Sequence, residues 1–446
     1  MFTDDSAVFE KVKKLALESD KIPIETIREK KIVPGLRYED GSGVVVGITS
    51  KGQVQGYEKD NAGKIIASPG KLIYCGYDVG EIVKNIEKEN RFGFEETIYL
   101  LLTGELPNKS DLKSFSKIIG KRRALIPIIK KRLPHNSSNE DIMGALHTAV
   151  SAMYLCDENP NSTDIEDITR QCIDLIAKFP TIAAYSYCVL KAKGEKVKFY
   201  PPKRGLSTAE NFLYMLTGKI PDEETARIFD IALILHAEHG GGNNSTFSTR
   251  CVSSSGANTY MAICAGIGSL SGHLHGGANE AVMDMMENIK TNVKNWEDEK
   301  EIEQYLNLIM DKKASDGKGK IYGVGHAVYT ISDPRVAILE KKAEILAKKK
   351  GREKEFELYK KVAALAPAIV HSKKGKVACI NVDFYSGFVY DLIGIPKELY
   401  TPIFAMARVS GWSAHRIEEV IQGKLIRPAY ISTILEKKNY VPLKER

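Results

Sequence analysis

From Val79 almost to its C-terminus, this chain repeats one pattern: apolar residues at helical spacing, broken by glycine or proline and then resumed. Such a pattern leaves little room for a large sheet. Phe94 to Leu102 runs into Thr103-Gly104, a glycine stop. Asp222 to Glu238 carries Ile228, Ile231, Ala232 and Leu235 along one stripe and ends in Gly240-Gly241-Gly242. Ala278 to Val293, Pro334 to Lys350 and Lys354 to Leu365 continue the series. Upstream the signal differs. Val8 to Glu18 reads as a charged helix, followed by a turn at Pro23 and a second short helix. Gly43 to Ile48 and Lys71 to Cys75 are β-type runs with glycine turns between them. The prediction is a mainly α fold with a minor β element near the N-terminus. At 446 residues the chain exceeds what one core usually serves, so one large and one smaller domain are expected.

Charge and apolar content narrow the function. A net charge of +7, from 64 basic and 57 acidic residues, is too thinly spread for nucleic acid. Lys348-Lys349-Lys350 reads as a solvated helix end, whereas Lys373, Lys374 and Lys376 precede a candidate site. No uninterrupted apolar run approaches the roughly 20 residues needed to cross a bilayer. Met1-Phe2-Thr3-Asp4-Asp5 is acidic where a leader would be basic. The 7 cysteines are scattered, odd in number and never paired as CxxC, which favours reduced thiols. The expectation is a cytoplasmic protein with no membrane and no nucleic-acid partner.

Three segments set ionisable side chains among glycines and aromatics: Gly272 to Gly277 with His273 and His275, Gly323 to Tyr329 with His326, and Asn381 to Gly387 with Asp383. Two imidazoles and one carboxylate supply two proton donors and a base. That set suits making and capturing an enolate, with no metal and no organic cofactor.

The local sequence leaves several readings open. His275 stands before a helix N-terminus, where a neutral ring can donate to a developing oxyanion or merely sit in a loop. Asp383, among Ile380, Val382 and Phe384, is either a base raised by apolar surroundings or a cap for a helix beginning near Gly387. His236 and His239 form HxxH and His273 and His275 form HxH, but no well-placed carboxylate or thiolate completes a metal set, since a helical Glu238 points away. His239 instead reads as a helix-end residue beside backbone N–H groups that help hold an anion. Gly323-Val324-Gly325 allows close backbone approach to a ligand, and Lys318 and Lys320 before it can meet phosphates. Arg335, in a helix first turn, is ill placed unless an anion is bound. Arg408 and Arg427, embedded in apolar sequence, are structural ion-pair partners or, with Arg335, a clamp for a small di-acid.

In this order, the segments resemble the citrate synthase family from Gly35-Leu36-Arg37-Tyr38 to Arg427-Pro428. Lys178 to Tyr185, Leu206 to Leu213, Ser253 to Asn258 and Gly411-Trp412-Ser413-Ala414-His415 look like family signatures, and the ordered set is far more specific than any one of them. The resemblance implies a homodimer with a large helical domain (residues 1–276 and 395–446) and a small one (277–394) that closes over the substrates. It implies His275 as enol stabiliser, His326 as the donor to the oxaloacetate carbonyl and Asp383 as base. It likewise implies His239, Arg335 and Arg408 as oxaloacetate contacts, with Arg427 donated across the dimer. Gly323, Val324, Gly325, Lys318, Lys320 and Lys374 fall on the coenzyme A side. The expected activity is condensation of acetyl-CoA with oxaloacetate, or of propionyl-CoA in the 2-methylcitrate branch, with the thioester as substrate and no cofactor. Three departures stand out: Glu238-His239-Gly240 lacks the acidic residue usual after the histidine, the proline usual before Asn381-Val382-Asp383 is absent, and His147 replaces a common arginine.

Overall fold

The computed structural model describes residues 6–19, 23–38, 42–61, 65–133, 141–432 and 439–445. The acidic Met1 to Asp5 segment lies outside the described residues. The chain divides into two compact units, Met1–Val46 with Arg427–Arg446, and Gly47–Ile426. The first holds the helices Ser6–Ser19 and Ile24–Glu29 and short 3-10 turns at Pro34–Leu36 and Leu443–Glu445.

The second unit opens with a three-stranded antiparallel sheet, Gly52–Lys59, Ile65–Tyr74 and Tyr77–Asp78, and is helical thereafter. The fold is mainly α, as the sequence indicates. Of the two predicted β runs, Lys71 to Cys75 falls almost wholly within the Ile65–Tyr74 strand. The Gly43 to Ile48 run makes a single bridge, Arg37 to Gly43, and forms no strand. Val45 and Ile48 stay exposed, so apolar alternation found no partner strand to fix it. The strand that does form there, Gly52–Lys59, is polar and glycine-containing, and its order comes from pairing with Ile65–Tyr74.

Helix ends follow local chemistry. The Asp222 carboxylate accepts from Thr225 N, Ser207 and Glu210 make a reciprocal capping box, and Gly104 closes its helix at φ 89°. The Glu353–Lys374 helix runs beyond the predicted stop, straight through Pro367. Burial of Ala366, Ile369 and Val370 outweighs the cost of an internal proline, about 3 kcal/mol. The core is built on two long helices, Ile165–Ala192 and Tyr400–Gln422, packed against one another. Ile165–Ala192 is long and apolar enough to cross a membrane by composition, although most of it is buried in the protein.

Candidate active site

Two of the three glycine-flanked segments, Gly323 to Tyr329 and Asn381 to Gly387, meet through backbone pairing. Val324 and Ile380 form an antiparallel bridge, Gly325 N donates to Cys379 O (2.8 Å) and Asn381 N donates to Gly323 O (2.9 Å). The Asn381 amide then donates to Gly325 O at 2.8 Å. This ladder ties together the backbone segments that carry His326 and Asp383. Gly323 must be glycine: its φ is 77°, and a Cβ there would lie 2.8 Å from the Phe384 ring.

His326 Nδ1 accepts from Val328 N and Tyr329 N, both at 3.0 Å. An acceptor at Nδ1 puts the proton of the neutral ring on Nε2, leaving Nε2–H as donor. The ring stacks on Tyr329 (4.6 Å between centroids) and meets His239 edge-on at 5.0 Å. His275 has the opposite tautomer. Ser245 N and Oγ approach its Nε2 at 3.4 and 3.0 Å, so Nδ1 carries the proton. Ser245 begins the Asn244–Ser254 helix, whose N-terminal dipole opposes a charged ring. Burial, then the Arg408 charge, push His275 down to about 4, so it is neutral at physiological pH.

Asp383 is the first residue of the Asp383–Ile393 helix, which starts four positions earlier than the capping alternative requires. Its backbone N donates to Asn381 Oδ1 at 3.0 Å, and among the described residues no hydrogen bond acts on its carboxyl. Burial pushes it up to about 6, assisted by Asp333 and opposed by Arg335 and Arg408. A carboxyl raised in this way is a stronger base. The sign for activity is definite: turnover falls as pH drops through about 6, where Asp383 takes up its proton, while His275 stays neutral until about 4. A kcat/KM profile showing no acid limb between pH 5 and 7 would contradict this assignment.

Arg335 finds its anion within the protein. Asp333, the N-cap of its helix, accepts from Nε at 2.8 Å and Nη2 at 2.6 Å, and also takes Val382 N at 3.2 Å. Arg408 is different. It is fully buried, its Nε donates to His236 O (2.7 Å), and both terminal nitrogens lack any hydrogen-bond partner. His239 Nε2 and both ring nitrogens of His236 are also buried without partners. His236 and His239 are pushed well down by burial and then by the neighbouring arginines, so both are neutral. A buried guanidinium with two idle N–H edges, beside neutral imidazoles, is a cradle for a carboxylate. The structural ion-pair alternative for Arg408 therefore fails, while Arg335 is oriented by its pair with Asp333.

The remaining predicted residues make other contacts or are exposed. Lys374 Nζ donates to Gly319 O at 3.2 Å, and Lys318 pairs loosely with Asp316 at 3.7 Å. Lys318 and Lys320 are exposed on one loop, beside the Gly323-Val324-Gly325 turn. His273 is exposed, and Arg427 is exposed in the first unit. Among the described residues no cluster of three His, Cys, Asp or Glu side chains could hold a metal. Glu238 is not helical, because its helix ends at His236, and its carboxylate meets His415. Sequence reasoning missed Ser245, Tyr329, Asp333 and Glu238. Only Asp333 carried a local signal, as an acid two residues before Arg335 in a helix-start pattern.

Residues 41–429 match the family model described as citrate synthase, C-terminal domain. The chain belongs to the citrate synthase family. The citrate synthase of Deinococcus radiodurans is 40% identical over 384 residues, covering 86% of this chain and 94% of that protein. That of Haloferax volcanii is 37% identical over 386 residues (84% and 93%). A 2-methylcitrate synthase of Corynebacterium glutamicum is 35% identical over 394 residues (86% and 94%). Citrate synthase from Pyrobaculum aerophilum superposes with a TM-score of 0.74 at 30% identity, covering 91% of this chain and 94% of that one. The Thermoplasma acidophilum enzyme, solved as a ternary complex with carboxymethyl coenzyme A and oxaloacetate, gives 0.73 at 29% identity (90% and 97%). The chain is thus an enzyme of the acyltransferase type, and family members named for two different products resemble it almost equally.

Proposed function

We propose that this enzyme is a citrate synthase, condensing acetyl-CoA with oxaloacetate and hydrolysing the citryl-CoA intermediate. The observation that carries the reading is Arg408, buried with two unpartnered N–H edges beside Arg335, His239 and the raised carboxyl of Asp383. Arg335 and Arg408 hold the carboxylates of oxaloacetate, and His239 donates or accepts at the same molecule. Asp383 removes a methyl proton from the thioester while His275 Nδ1–H donates to its oxygen. The enol attacks the oxaloacetate carbonyl as His326 Nε2–H supplies the proton. A positioned base contributes about 10²–10⁴-fold, and each aimed donor about 2.7–4 kcal/mol. Water then cleaves the citryl thioester, releasing citrate and CoA and making the step irreversible.

No metal or organic cofactor is required, since the coenzyme A thioester is itself consumed. Its phosphates fall to Lys318, Lys320 and Lys374 around the Gly323-Val324-Gly325 turn. The working form is a homodimer, in which Arg427 reaches the partner's site. Tyr430 and Ile431, exposed beside Arg427, are apolar area that a second copy would cover. The reaction belongs to the opening step of the tricarboxylic acid cycle, in the cytoplasm.

The second reading, 2-methylcitrate synthase with propionyl-CoA, is favoured by the Corynebacterium glutamicum relative. One methylene discriminates by only about 1–3 kcal/mol in a pocket. Thiol release with oxaloacetate, measured for acetyl-CoA and propionyl-CoA in parallel, decides between them. A higher kcat/KM for acetyl-CoA is expected. Preference for propionyl-CoA would reassign the substrate, and activity with neither would overturn condensation.

A further inference from the structure

His239 owes its place to the three residues before it, His236, Ala237 and Glu238, where the Glu223–His236 helix ends, and these are held in register by one face of the Tyr400–Gln422 helix. Arg408, Gly411 and His415 are three and four residues apart, so they share that face. Arg408 Nε donates to His236 O at 2.7 Å, Gly411 N donates to Ala237 O at 3.2 Å, and His415 Nε2 meets Glu238 Oε1 at 3.0 Å. Three consecutive residues are thus read by three consecutive positions of one helical stripe. The next residue is His239.

The Glu238 carboxyl is the fixed point of this arrangement. It is fully buried, and Gly240 N also donates to Oε1. A Cβ at Gly52 would fall 2.6 Å from Oε1, and one at Gly411 would fall 2.3 Å from Oε2. Two glycines on separate elements therefore form a slot cut to this carboxyl. The His415 ring is equally constrained. Arg250 Nη1, which can only donate, reaches His415 Nδ1 at 2.9 Å, so the ring proton sits on Nε2 and is given to Glu238. Arg250 is in turn gripped by Glu418 and Glu419. Tyr74 completes the clamp, its hydroxyl lying between two acceptors, Ile234 O at 2.9 Å and Glu238 O at 3.1 Å.

We propose that Glu238 and His415 are a positioning pair, which touches no substrate but sets the His236–His239 corner against Arg408 so that His239 and the guanidinium meet oxaloacetate together. The inference rests on the reading of this pocket as the oxaloacetate site. Bulk electrostatics predict the opposite of positioning here. Removing a buried negative charge near the cradle should by Coulomb's law help a dianion to bind, whereas loss of register should hinder it.

The test uses the full-length enzyme with Glu238→Gln, His415→Leu, their double variant, and His415→Gln, which restores an amide donor. Calorimetric oxaloacetate affinity, KM for both substrates and melting temperature are measured for each. We expect Glu238→Gln and His415→Leu each to raise the oxaloacetate KM by about tenfold or more, because small misplacements are costly. The acyl-CoA KM should move by less than about threefold, the double variant should cost no more than either single, and His415→Gln should recover most of the loss. A purely structural role would lower the melting temperature and shift both KM values in parallel, and that result overturns the proposal. So does an oxaloacetate KM within about twofold of the parent in either single variant. If His415→Leu does not fold, Glu238→Gln and His415→Gln carry the comparison. Failure of the parent enzyme to bind oxaloacetate would instead remove the substrate reading, which separates the two failures.

Discussion

Asp383→Asn should bind oxaloacetate with nearly parental affinity yet lose about 10²–10⁴-fold in kcat. The asparagine matches the carboxyl in shape but cannot accept the methyl proton. Because no described group hydrogen-bonds the Asp383 side chain, its replacement strands no partner and should leave the fold intact. Its raised pKa comes from burial, so the neutral amide is also tolerated there. Thiol release and calorimetry together read the split between binding and chemistry. Turnover within tenfold of the parent would remove Asp383 from the role of base.

Arg408→Leu should remove most of the stabilisation that oxaloacetate gives the parent enzyme. At a ligand concentration 100 times Kd, binding adds about 2.7 kcal/mol to folding stability, which a thermal melt registers directly. The idle Nη1 and Nη2 groups are where that energy enters, since a bound carboxylate would satisfy both at once. Truncating one side of a buried charge pair costs about 2–5 kcal/mol, or roughly 30- to 5,000-fold in affinity. The unliganded variant should melt close to the parent, because it trades one hydrogen bond to His236 O for relief of a buried, unpaired cation. A parental ligand-induced shift in the variant would show that the dicarboxylate is held elsewhere.

Much of this architecture can be read from the chain alone, for identifiable reasons. Helices announced themselves because their signals are local: Gly104 at a left-handed φ, the Ser207–Glu210 box, Asp222 at an N-cap. The Gly43 to Ile48 run misled because alternation specifies a strand only where a neighbour exists to pair with it. Pro367 misled in the other direction, its local cost being overridden by burial. At the site, the residue types were legible from their glycine-rich settings, but their partners were not. Nothing in the sequence pairs Ser245 with His275 across 30 positions, or Glu238 with His415 across 177. Those pairings decide which ring nitrogen bears a proton, and hence which end of each histidine can do chemistry.

The short bridge between Val324 and Ile380 has a mechanical corollary. With their flanking segments laced together at residues 323–325 and 379–381, His326 and Asp383 are expected to move together. A rearrangement that left this ladder intact would shift both residues as one piece, carrying the proposed proton donor and the proposed base jointly.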